Sequence, residues 1–143
     1  MRRHLLRIAV GGLSLLGVAG TASAQSVGCT LSGLTGVPGV NNPNQWTVVF
    51  QNPIRYSDIT VATMVGLNRG TERGLHGSAY LKGGFPVVLT WTEGPSTRIP
   101  EVRHINVMLD ANGQGAGREV VVEGGFEVFN GLVTITSTVC EDL

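Results

Sequence analysis

The chain has 143 residues, with ten Lys and Arg against ten Asp and Glu and a formal net charge of zero. Three of those ten basic side chains, Arg2, Arg3 and Arg7, lie in the first seven residues, so the remainder is net acidic. That balance argues against a nucleic-acid binder, which needs a concentrated basic face, and against a polybasic membrane-surface protein.

The first residues have the three parts of an export signal. Arg2, Arg3, His4 and Arg7 form a basic start, Ile8 to Val18 an apolar run, and Thr21-Ala22-Ser23-Ala24 a small-x-small cleavage pattern. The apolar run is too short to span a bilayer as a helix, which takes about 20 residues. No later segment reads as a transmembrane span. The expectation is a signal peptide over 1–24 and a mature chain from Gln25, exported to a bacterial periplasm, surface or medium. Arg2-Arg3-His4-Leu5-Leu6-Arg7 also resembles the twin-arginine export motif, though it lacks the Ser or Thr before the pair. The rest, 25–143, has the length of a single domain.

Cys29 and Cys140 are the two cysteines and stand at opposite ends of the mature chain. In an oxidising compartment such a pair reads as one structural disulfide joining the termini. Between them period-two alternation dominates. Strands are predicted at Val27 to Leu34, Gln45 to Phe50, Asp58 to Val65, Phe85 to Thr92, His104 to Leu109, Glu119 to Glu123, Phe126 to Phe129 and Leu132 to Val139. Asn130-Gly131 predicts a two-residue hairpin between the last two. Asp110 to Gly113 predicts another turn, and Gly124-Gly125 a break or bulge. Seven or eight short strands at this spacing predict an all-β fold, an immunoglobulin-like antiparallel β-sandwich. One detail resists that scheme. Cys29 shares strand parity with Leu31, whereas Cys140 shares it with Thr136 and Thr138, which places the bridge at strand ends.

Candidate chemistry is sparse. Beyond the leader the histidines are His76 and His104, there is no Gly-x-Ser-x-Gly elbow, and both cysteines are committed to each other. No catalytic residue, metal ligand or cofactor site is expected. Asp110-Ala111-Asn112-Gly113-Gln114 begins like a calcium loop but has Val121 where the twelfth-position Glu belongs. Acid–base chemistry would need carboxylates brought together by the fold, such as Glu93 and Glu101.

Gly66 to Gly84 is the candidate functional surface: six glycines with Arg69, Arg73, His76 and Lys82 against a single Glu72. It reads as a long, solvated, basic loop able to attract an anionic partner. The functional expectation is therefore a non-catalytic exported β-sandwich acting through surface contacts, as a structural, adhesive or envelope-associated subunit. Its partner would be a protein or an envelope glycan, with self-association open. The alternative is a soluble ligand-binding or inhibitory module that uses the Gly66–Gly84 loop.

Overall fold

The computed structural model describes residues 26–37, 40–95 and 100–143. The expected signal peptide lies outside these residues. Eight strands follow in chain order: β1 (Val27–Val37), β2 (Val40–Tyr56), β3 (Ile59–Asn68), β4 (Arg73–Lys82), β5 (Phe85–Glu93), β6 (Val102–Leu109), β7 (Gly115–Glu123) and β8 (Phe126–Asp142). Each is antiparallel to the next, and β8 pairs back onto β1. The result is one closed barrel. Among the described residues no helix is long and apolar enough to cross a membrane.

This overturns the immunoglobulin-like sandwich. The all-β class stands, but no strand switches sheets, because there is only one sheet. Alternation does not distinguish the two architectures, since each buries one face of every strand. The physical difference lies in coiling. Register shifts between Gln51 and Ile54 on β2, between Tyr80 and Leu81 on β4, between Val121 and Val122 on β7, and on the β1–β8 pair bend the sheet until its ends meet. Close approach contributes too. A Cβ on Gly77, which shares the lumen-facing parity of Leu75 and Ala79, would stand 2.7 Å from the Trp91 Cβ, so only glycine allows β4 this near β5.

An eight-stranded barrel is just wide enough for side chains to fill. Leu31, Trp46, Val48, Phe50, Met64, Leu75, Leu89, Trp91, Ile105, Val107, Val133 and Ile135 fill this one, all nearly inaccessible. The two indoles meet edge to face with ring centroids 5.6 Å apart.

Cys29 and Cys140 form the expected disulfide. They sit directly opposite each other across the β1–β8 seam. Cys29 belongs to the core and Cys140 packs against it, so the bridge faces inward. Ser32 pairs with Ser137 but Gly33 with Ile135, which leaves Thr136 as an extra residue on β8. That bulge reverses the strand's parity. Val133 and Ile135 point inward before it, and Cys140 does so after it.

Two further expectations need correction. Asn130-Gly131 is not a hairpin: β8 runs straight through it, with Asn130 opposite Val120 and Gly131 opposite Glu119. The turn between β7 and β8 is Gly124-Gly125, whose φ values of 58° and 86° suit a tight hairpin. Asn130 instead engages Arg118 and Glu127 through its side chain. Nor is Gly66 to Gly84 a loop. It comprises the end of β3, a short turn and the whole of β4.

Candidate functional site

One end of the barrel carries the β1–β2, β3–β4 and β7–β8 hairpins and the β5–β6 connection. There the inward-facing positions change from apolar to polar, nearly one per strand. Thr35, Asn44, Asn68, Arg73, Glu93 and Glu119 are all buried at this mouth. Arg103 and Glu101 join them with side chains 19% exposed.

The floor of the mouth is Glu93. Its Oε1 accepts from the Trp46 indole at 2.7 Å, the Trp91 indole at 3.2 Å and Asn68 Nδ2 at 3.1 Å. Asn68 Nδ2 also lies 3.0 Å from Oε2. Three side-chain donors thus converge on a completely buried carboxylate. The same contacts tie the tryptophan pair to the charged layer above it.

Arg73 and Arg103 supply the positive charge. Arg73 Nε donates to the Gly94 carbonyl at 2.9 Å, and its Nη1 lies 3.8 Å from Glu101 Oε1. Arg103 reaches Glu119 Oε1 at 3.1 Å and Glu101 Oε1 at 3.7 Å. Two guanidiniums thus share two carboxylates, Glu101 and Glu119, yet donors remain over. Among the described residues, Arg73 Nη1 and Nη2 and Arg103 Nε are buried without a hydrogen-bond partner. Such orphaned donors cost about 1–3 kcal/mol each, more when charged.

Burial perturbs two of these groups. Desolvation lowers the Arg73 pKa, helped by repulsion from Arg103, although a guanidinium stays charged in proteins. Desolvation also pushes the Glu119 carboxyl up, with Arg103 opposing and Glu93 assisting. The Glu119–Arg103 contact has ion-pair distance but not hydrogen-bond alignment, so Glu119 is the least well compensated acid of the mouth.

Above this layer opens a cleft of about 310 Å³. Glu101, Arg103 and Glu119 give it polar walls, and Val121 and Phe129 an apolar side. Chemically it offers cationic donors, carboxylate acceptors and one aromatic face, the composition of a small-molecule site.

Of the four basic residues singled out between Gly66 and Gly84, only Arg73 has its side chain in this mouth, and it is buried rather than solvent-facing. Arg69 is exposed in the β3–β4 turn at the same end, its backbone N–H donating to the Gln45 carbonyl. His76 is exposed on the outer wall, opposite Val65 and Thr92. Lys82 ends β4 at the far end of the barrel, 3.9 Å from Asp58. These four side chains therefore do not converge. His104 meets Thr92 on the outer wall at 3.0 Å. Asp110 Oδ1 accepts from the Asn112 and Gln114 amides, which is turn chemistry. The fold does bring Glu93 and Glu101 to one mouth, around Arg73. Asn68, Arg103 and Glu119 went unnoticed, although a charged or amide residue on the apolar parity of a strand marks each of them.

No protein-family model matches the chain, and no curated protein matches it.

Proposed function

We propose that the protein is an exported, non-catalytic barrel that holds a small polar molecule at its mouth. The observation that carries this reading is Arg103 in the wall of an open cleft, its buried Nε without an acceptor among the described residues, with the similarly unsatisfied Arg73 joined to it through Glu101. A fold that buries two arginines and leaves three of their nitrogens unsatisfied bears a cost that a ligand's oxygens would remove. Closure supports binding over assembly, because a barrel offers no free strand edge for pairing with another chain. Glu93 accepts N–H bonds and Glu101 lies against two cations, an arrangement suited to holding charge rather than moving protons.

The test uses the exported form, expected to begin at Gln25, titrated with neutral sugars, amino acids and small carboxylic acids. Trp46 and Trp91 report through their shared Glu93, so binding should change tryptophan emission and raise the melting temperature. A ligand at 100 times its Kd stabilises by about 2.7 kcal/mol. Phe129→Ala should weaken the response. If no compound in these classes moves either signal, the reading fails.

A further inference from the structure

The mouth's charge count bears on what it can hold. Among the described residues, Glu93, Glu101 and Glu119 oppose Arg73 and Arg103, so that set, fully ionised, carries one negative charge in excess. Yet its unsatisfied groups are mainly donors: both terminal nitrogens of Arg73 and Nε of Arg103. A neutral ligand could accept from them, but weakly. Charge-assisted bonds to an oxyanion are roughly twice as strong, and the planar guanidinium fork matches a carboxylate. A further anion would leave the layer doubly negative in a desolvated site unless one acid becomes neutral.

The geometry selects that acid. Glu93 accepts N–H bonds from two indoles and an amide, so both its oxygens are already engaged as acceptors. Glu101 lies between two guanidiniums, 3.8 Å from Arg73 and 3.7 Å from Arg103, and retains some solvent. Glu119 is 2% exposed and has one cation beside it, without an aligned hydrogen bond. Among the described residues, the charged groups facing it are Arg103 from β6, Glu101 from the β5–β6 connection, Glu93 from β5 and Arg73 from β4. β8 presents Phe129 and Gly131 there, and β1 presents Thr35, none of which titrates.

Resting on the binding function above, we propose that the ligand's anchoring group is a carboxylate captured in the cleft beside Glu101 by Arg103, with one proton taken from solvent onto Glu119. The balance is simple. A carboxylate and a proton enter together, the layer's net charge is unchanged, and the protonated Glu119 becomes a donor to the bound oxygens. Val121 and Phe129 cover the ligand's carbon skeleton.

Calorimetric titration of the exported protein with acetate, lactate and D-galacturonate, against D-galactose as the neutral twin of galacturonate, tests this. Runs near pH 5 and pH 7, each in two buffers of different ionisation enthalpy, count the protons. At least one carboxylate should bind with one proton taken up. Its affinity should fall by up to about tenfold per pH unit above the pKa of Glu119 in the free protein. Glu119→Gln, which keeps the shape and removes the charge, should bind that carboxylate with no pH slope and no proton uptake. Arg103→Gln should lose binding, with its fold checked by tryptophan emission. Galactose binding as well as galacturonate would overturn the carboxylate anchor and leave the binding function standing. Carboxylate binding without proton uptake would overturn the role of Glu119. If no probe binds, both the anchor and the binding function fall.

Discussion

A carboxylate carried into a barrel lumen gives up hydration that a single misaligned cation does not replace. Glu119 is in that position, and its raised pKa translates into a pH dependence of folding. The folded state binds the Glu119 proton more tightly than the unfolded chain, where a Glu titrates near ~4.3. Its contribution is therefore fully present below that value and is lost as pH rises through the folded pKa. Urea unfolding of the wild type and of Glu119→Gln across this range should give curves that diverge as pH increases, the variant being the more stable at neutral pH. Parallel curves would show that Arg103 compensates the charge fully. Little of this was legible residue by residue. Arg73 looked like a loop cation because its neighbours are glycines and polar side chains. It is buried because Leu75, Ala79 and Leu81 share its parity on β4. The signal was present as a charge in phase with an apolar face, but the ordinary expectation that arginines are exposed outweighed it.

Strands were the most legible level, since alternation is a local property: seven of the eight predicted strands fall within observed ones and Asp58 to Val65 overlaps β3, although the last two are a single strand, β8, and β4 was read as a loop. Their interruptions were less so. A bulge adds one residue without a compositional mark, and Thr136 sits in a run of β-branched residues that reads as uninterrupted strand. Asn130-Gly131 misled in the opposite sense. It has turn chemistry, but Gly131 serves a different need: a side chain there would meet the Phe129 ring. The bulge makes a contrast that can be measured. Deleting Thr136 removes only the unpaired residue, so the Ser32–Ser137 and Cys29–Cys140 pairings persist and the disulfide should still form. Deleting Thr30, a regular position on β1, turns Cys29 to the outer face while Cys140 stays inward, and both thiols should alkylate. Free thiols in the Thr136 deletion would mean that something other than the bulge sets the orientation of Cys140.

Closure of the whole barrel is the least local of its properties, which is why it escaped the sequence. Seven of the eight strand pairings join chain neighbours through a hairpin or a short connection. The eighth joins residues as far apart as Cys29 and Cys140, separated by 111 positions. Alternation says that each strand has an inside, but not that the first and last share it. The cysteine pair was the one long-range clue, and it fits a sandwich as well as a barrel. Its energetic role follows from the topology. In the chain-entropy model, a cross-link closing a loop of about 100 residues removes up to ~4.7 kcal/mol of freedom from the unfolded chain. If the seam forms in the folding transition state, that entropy is lost before the rate-limiting step in the uncross-linked chain, and most of the effect falls on the folding rate. Chevron measurements on the oxidised protein and on Cys29→Ala/Cys140→Ala should then show slower refolding in the variant, with the unfolding limb nearly unchanged. We expect this outcome because the hairpin-linked sheet has two open edges until β1 meets β8, and the lumen-facing Trp46, Trp91 and Leu31 are covered only once it does. A variant that refolds at the wild-type rate and unfolds faster would place seam closure after the barrier, with the sheet collapsing first and the barrel sealing last.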